Sequence, residues 1–266
     1  MMKKLLIQGN GDEIMNIAIL QARMSSSRLP GKVLKELLGK PMLLQQIERI
    51  QSSRLIDVLI VATSKEKEDD PIEKMCKESN ILCYRGSLDN VLDRFYQISL
   101  LYQPENIVRL TGDCPLIDAE IIDQVIEIHM KSQNDYTSNT IDCTFPDGLD
   151  VEVFTKKTLD YVYKQADRPS LKEHVTLYIN ENPSLFKREN MRNDTDLSYM
   201  RWTVDESEDY LFVTAIYKEL YAKNPHFTYQ DVIVLLKERP ELIEINGVFT
   251  RNEGLKKSLL KEGNNI

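Results

Sequence analysis

The sequence predicts an α/β fold, a mostly parallel central sheet with helices on both faces. Two observations predict it. Short apolar, β-branched runs alternate with amphipathic helical stretches from residue 16 to residue 129. Polar segments follow the strands at their carboxyl ends, where ligands of such sheets bind. Residues 16–20 read as a short buried strand, followed by a polar Gly/Pro-containing loop over 21–39. Residues 42–49 carry apolar side chains at helical spacing, and 57–62 form a second, β-branched strand. A helix over 72–78 and a third strand over 81–84 follow. Residues 88–101 place Val91, Leu92, Phe95 and Ile98 on one helical stripe. The fourth strand, 106–110, ends at Thr111-Gly112-Asp113, and a helix over 118–129 starts from Asp118 as N-cap. The polar segments 21–32, 63–70 and 111–113 should therefore converge on one crevice.

The middle of the chain is less regular. Strands are expected at 136–139 and 150–154 around a turn at Pro146-Asp147-Gly148, and helices at 156–165 and 171–180. A polar loop spans 190–196, a late strand 201–204 and a long helix 206–221. One domain over 16–255 accounts for these elements, with an insertion around 136–200. Residues 1–15 read as an N-terminal extension, with Met15 as an alternative start, and the Lys/Gly/Asn-rich tail 256–266 is expected to fray.

Composition limits the function classes. In 266 residues, 42% hydrophobic and 29% charged side chains exclude disorder as the main state. A formal charge of -8 gives no general attraction for nucleic acid or an anionic membrane, so any phosphate site must be local. No apolar run reaches bilayer length, and Leu5-Leu6-Ile7 after two lysines is too little for a secretion signal. A cytoplasmic protein is expected, and the four cysteines, without a CxxC pair, read as free thiols.

A local phosphate site is available. Residues 21–32, QARMSSSRLPGK, concentrate Arg23, Arg28 and Lys32 with Ser25, Ser26, Ser27 and Gly31 in one loop after a strand. Arginine offers forked donors to phosphate oxygens, lysine a compact charge, and serines and backbone N–H groups further donors. The spacing is not that of a Walker loop. A solvated basic loop paired with acidic residues is the plainer reading of composition alone.

Two carboxylates stand at strand ends, Asp113 in LTGDCPLID and Asp205 in RWTVDESEDY. Facing a triphosphate, such a pair suits Mg²⁺, which takes one or two carboxylates and completes its shell with phosphates and water. Asp205 directly precedes a helix, so a cap role fits it equally. Cys114 reads as a packed small residue. Thr63 ends the second strand where a pyrimidine could meet backbone groups. Asp89 and Arg94 lie in a segment that opens a helix, where a cap and a solvated face are the alternatives. In FPDGLDVEV, Asp147 and Asp150 flank Gly148, and Glu152 shares a strand face with Asp150. His174 follows in KEHVTLYI, with a packed, hydrogen-bonded imidazole as its alternative. His129 and His226 read as surface residues without a role.

The loop resembles the nucleotide-binding signature of sugar-acid cytidylyltransferases. The 3-deoxy-manno-octulosonate enzymes carry AR-x-x-S-x-RLPGK, met here from Ala22 to Lys32 without a gap. The acylneuraminate enzymes carry a looser version, and the nearest match is the spore-coat polysaccharide branch, the SpsF-type proteins. The resemblance spans about residues 16–215 and implies a Rossmann-like nucleotide-diphospho-sugar transferase fold with a small inserted dimerisation and acceptor subregion. It implies Ala22, Arg23, Ser25, Arg28, Lys32, Thr63, Asp89 and Arg94 as nucleotide-binding, with Arg23, Arg28 and Lys32 acting in catalysis. It implies Asp113 and Asp205 as Mg²⁺ ligands, and Asp147, Asp150, Glu152 and His174 as acceptor-binding. Gln21 and Cys114 depart from the octulosonate pattern and favour the SpsF-type branch. The implied reaction moves CMP from CTP to a sugar acid, sugar phosphate or phosphonate with release of pyrophosphate, in surface polysaccharide or glycoconjugate biosynthesis by a homodimer. A glycosyltransferase using a nucleotide sugar, or a non-catalytic nucleotide-binding homologue, is the alternative.

Overall fold

The computed structural model describes residues 15–247, 249, 251 and 253–263. Of the expected extension over residues 1–15, residues 1–14 lie outside the described residues.

The first half alternates strand and helix as expected. β1 (Asn16–Gln21) leads through a long loop to the short pair β2 (Glu36–Leu37) and β3 (Lys40–Pro41), then α1 (Met42–Ile50). β4 (Val58–Ser64), α2 (Asp70–Glu78), β5 (Leu82–Gly86), α3 (Val91–Tyr102), β6 (Asn106–Thr111) and α4 (Ala119–Ser132) follow. The middle holds β7 (Tyr136–Ser138), β8 (Glu152–Thr155), α5 (Lys156–Gln165), α6 (Pro169–Glu173), α7 (Leu177–Glu181) and β9 (Arg188–Asn190). α8 (Ser207–Leu220), α9 (Tyr229–Glu238) and α10 (Glu253–Lys261) complete the chain.

Among the described residues, one sheet has the order β5-β4-β1-β6-β8-β7-β9. β8 runs antiparallel to β6 and β7, and the other pairings are parallel. β1 pairs with β4 on one side and β6 on the other. The chain thus winds outward from β1 in both directions, and a crevice opens beyond the carboxyl ends of β1 and β6.

Period-two alternation sorts the core. Ile17 and Ile19 of β1 face a cluster with Phe95 of α3 and Leu159 of α5. Ala18 and Leu20 face the other layer, with Ile47 of α1, Ile122 of α4 and Phe212 of α8. Both faces are sealed, which is why residues 17–20 of β1 are all apolar. Truncating Ile17 or Leu20 to Ala would cost about 2–5 kcal/mol. Among the described residues no helix is long and apolar enough to cross a membrane.

Four expectations need correction. The late strand at 201–204 is an irregular segment. Arg201 makes only an isolated bridge with Asp147, while Trp202 N–H and Val204 N–H donate to the carbonyls of Asp147 (2.6 Å) and Asp113 (2.7 Å). Its polar backbone is thus satisfied by two loops rather than by a strand. The single helix over 171–180 is two, α6 and α7, interrupted between Glu173 and Leu177. Of the tail expected to fray, residues 256–261 are helical as part of α10, and Glu262 beyond it accepts hydrogen bonds from Ser170 N–H and Ser170 Oγ, both at 2.6 Å, while residues 264–266 lie outside the described residues. His129 is buried, bonded to Thr137 and Asn106, and its imidazole is pushed down to about 4, chiefly by burial.

Candidate active site

The loop after β1 is held from both sides. Ala22 N–H donates to Ala62 O at 3.1 Å, and Gly112 N–H to Gln21 O at 2.8 Å. Met24 O accepts from Ser26 N–H and Gly31 N–H, each at 2.9 Å, which folds residues 24–31 into a compact bend. Gly31 has φ of 69° and starts a 3-10 turn over Lys32–Leu34, turning Lys32 inward.

Lys32 is the centre of the site. Its Nζ lies 2.9 Å from Asp113 Oδ2 and 2.7 Å from Asp205 Oδ1. Burial penalises the charges of Lys32 and Asp113, but their ion pairs outweigh it. The Lys32 ammonium is held above its ordinary value, and Lys32, with the Thr111 hydroxyl, holds the Asp113 carboxyl at about 2. Arg28 closes the group from outside, 2.8 Å from Asp205 Oδ2 and 3.1 Å from Glu206 Oε1.

The sequence left a cap role open for Asp205, and the structure gives that role to its neighbour. Glu206 is the N-cap of α8 in a reciprocal capping box with Asp209. Asp209 also accepts from Asp205 N–H at 2.9 Å and binds Arg201. Asp205 is thereby aimed at the cleft instead of the helix end.

These groups line a cleft of about 370 Å³ with Ala22, Arg23, Arg94, Asp147, Asp150 and His174. Arg94 is 2% exposed; its Nη1 donates to Ala62 O at 3.1 Å, and its Nε is buried without a hydrogen-bond partner among the described residues. Burial, reinforced by Arg23, pulls its guanidinium down to about 10. A Cβ at Gly86 would lie 2.5 Å from Arg94 Cγ, so only glycine leaves room for this side chain.

At the far end, Asp147 lies 3.3 Å from Arg201 and 3.7 Å from Arg251, and Arg251 also pairs with Asp150. Gly148, at φ 115°, fixes this turn, since a Cβ there would come within 2.6 Å of the backbone at Trp202 and Thr203. His174 Nε2 is 3.0 Å from Ser258 Oγ, and burial lowers its pKa.

Four candidates fall outside the cleft. Ser25 is exposed, and Ser26 and Ser27 line the cleft in its place. Thr63 is buried within β4. Asp89 is exposed, and the cap of α3 is Asn90, which accepts from Asp93 N–H at 2.9 Å. Glu152 is buried, paired with Arg109, and accepts from Tyr136 Oη at 2.7 Å and Thr176 Oγ1 at 2.6 Å. It therefore braces the sheet and has no free oxygen to offer an acceptor.

Sequence reasoning missed Arg201, Glu173, Thr203 and Arg251 of the lining and its surround. Arg201 had a signal, its spacing to Asp205 and Asp209 around the start of α8. Arg251 had none, since only folding brings it to Asp147. Cys114 lines the cleft, but burial and then the Asp113 charge keep its thiol protonated, which agrees with a packing role.

A family model described as cytidylyltransferase matches residues 17–252. The chain is 37% identical over 232 residues to an uncharacterised protein of Methanocaldococcus jannaschii, covering 86% of this chain and 93% of that one. It is 35% identical over 230 residues to the spore coat polysaccharide biosynthesis protein SpsF of Bacillus subtilis, covering 84% and 94%. The solved structure of a cytidylyltransferase from Leptospira borgpetersenii superposes with a TM-score of 0.85 at 31% identity, covering 90% of this chain and all of that one.

Proposed function

Since the chain belongs to the cytidylyltransferase family, we propose that its cleft transfers CMP from CTP to a small anionic or polyhydroxylated acceptor, a sugar acid, sugar phosphate or phosphonate, and releases pyrophosphate. One observation carries this reading. A cationic loop and two carboxylates, 81 and 173 residues from Lys32, meet on a single ammonium in the cleft.

In the proposed reaction an acceptor oxygen bonds to the α-phosphorus as the bond to the β-phosphate oxygen breaks, in line. Arg23 and Arg28 stand on the loop where they can grip the triphosphate and stabilise charge on departing pyrophosphate. Lys32 adds a point charge beneath them. Arg94, which lines the cleft, is suited to an acceptor atom of the base or ribose. Asp147, Asp150 and His174 are suited to hydroxyl or amino groups of the acceptor. An acceptor oxygen that is already ionised needs no general base.

Asp113 and Asp205 suit Mg²⁺. Both are hard oxygen donors, they meet on one cation position, and among the described residues no larger cluster of metal-binding side chains accompanies them. That donor set fits an ion that draws its other ligands from phosphate and water. When bound, Mg²⁺ supplies Lewis-acid charge at the phosphate oxygens. The reading extends to surface polysaccharide or glycoconjugate synthesis, the role carried by the name of the SpsF relative, and to a homodimer through the middle segment, where Tyr161 and Leu185 are exposed apolar residues.

The test is incubation with CTP, UTP, GTP or ATP, with Mg²⁺ and a panel of ulosonic acids, sugar phosphates and phosphonates. Acceptor-dependent pyrophosphate release confined to CTP is expected. Consumption of a ready-made nucleotide sugar, or no release with any acceptor in the panel, would count against it.

A further inference from the structure

Lys32 stands where a cation would bridge the two cleft carboxylates, with Nζ at 2.9 Å from Asp113 and 2.7 Å from Asp205. The residue is 7% exposed, so the ammonium cannot exchange these partners for bulk water without moving. Asp205 is engaged on its other oxygen as well, by Arg28 at 2.8 Å and Arg201 at 3.3 Å. Arg28 is shared with Glu206 and Arg201 with Asp209, so both oxygens of Asp205 already face basic side chains. A divalent ion arriving alone meets a position already filled by an ammonium. A triphosphate changes this, because its oxygens compete for Lys32 and Arg28, which both line the cleft.

We infer that Lys32 is a resident counter-ion, which holds Asp113 and Asp205 together in the absence of ligand and withholds them from a free divalent cation until nucleotide phosphates draw the ammonium away. The inference rests on the nucleotide reading of the cleft and adds an order to it: the cation enters with or after the nucleotide. Lys32 is then a positioning residue as well as a phosphate contact.

The test measures Mn²⁺ binding to the full chain without nucleotide or acceptor, from loss of the free-ion electron paramagnetic resonance signal. Wild type should bind weakly. Lys32→Gln and Lys32→Met should each bind one Mn²⁺ at least about tenfold more tightly. Lys32→Arg, which keeps the charge, should behave as wild type, and adding Asp205→Asn to Lys32→Gln should remove the gain. Equal binding by wild type and Lys32→Gln overturns the inference. So does one tightly bound Mn²⁺ per wild-type chain that Asp113→Asn abolishes, a result that needs no folded Lys32 variant. Calorimetry with metal-free CTP separates the two readings. No CTP binding by wild type removes the nucleotide site itself, whereas CTP binding without a gain in Lys32→Gln removes only the role of Lys32.

Discussion

Asp69 accepts a hydrogen bond from Met24 N–H at 2.7 Å across 45 positions of sequence. Its second oxygen accepts from Ser64 N–H at 3.1 Å, and the residue is 1% exposed. One carboxylate thus ties the cationic loop to the end of β4. Burial opposes its charge, but these backbone donors hold its carboxyl below the ordinary 3.8. Asp69→Asn turns one acceptor into a donor facing an N–H group, at a cost of about 1–3 kcal/mol. The expected outcome is a lower Tm and a KM for CTP raised about tenfold, with kcat less affected. The stability gap to wild type should be full above pH 4 and close as pH falls through the depressed carboxyl pKa. Steady-state kinetics showing unchanged KM would leave Asp69 a purely structural brace.

Arg28 and Lys32 sit in one motif yet should respond differently. The Arg28 side chain is 21% exposed and its partners lie at the cleft surface. Arg28→Ala should lower kcat/KM for CTP about 10²–10³-fold with a Tm near wild type. Lys32→Ala also removes the charge that holds two partly buried carboxylates together, and should cost about 3–5 kcal/mol of stability. Urea denaturation alongside pyrophosphate assays separates the two. Equal stability of both variants would contradict the burial argument for Lys32.

The loop side of the cleft was legible because its residues are contiguous. The bend from Ala22 to Lys32 carries its charges and its glycine within one segment, and β1 and β4 each have an apolar stretch, residues 17–20 and 58–62. The far end of the cleft was legible only in part. Asp147, Asp150 and His174 reach the cleft, but their partners Arg201, Arg251 and Ser258 come from distant segments. Local alternation paired Glu152 with Asp150, yet the strand proper begins at Glu152, where Arg109 of the neighbouring strand claims it. Residues 201–204 look like a strand because they are β-branched and aromatic. Their backbone partners are loops around Asp113 and Asp147, which no local pattern encodes.

Asp147 gives the site a pH dependence. Burial first, and then the Asp150 charge, push its carboxyl up to about 7 against the pull of Arg251 and Arg201. The two arginines offset this only in part, because Arg201 is shared with Asp209 and Asp205, and Arg251 with Asp150. The pair titrates together. Between about pH 4 and 7 the folded chain holds a proton that the unfolded chain has lost, so this contribution to stability declines as pH rises through that window. Ionised Asp147 accepts hydrogen bonds from an acceptor better than the neutral acid does. At saturating CTP, KM for the acceptor should fall as pH rises from 6 to 8, and Asp147→Asn should flatten the profile. A wild-type profile that is already flat would remove Asp147 from acceptor binding.

Glu152 provides the contrasting case. Its carboxylate is paired with Arg109 and accepts two hydroxyl hydrogen bonds, from Tyr136 and Thr176. Burial opposes its ionisation, but Arg109 and the two hydroxyls hold its pKa below the ordinary 4.5. Glu152→Gln leaves the buried guanidinium of Arg109 without its counter-charge, at about 3–5 kcal/mol. The expected outcome is a marked fall in the urea midpoint at pH 7, with KM for the acceptor unchanged in the folded fraction. Because the folded pKa is depressed, the gap to wild type should be largest above pH 4.5 and shrink as acid protonates the wild-type carboxylate. A raised acceptor KM at unaltered stability would return Glu152 to the acceptor pocket, and would mean that the Arg109 pair opens when substrate binds.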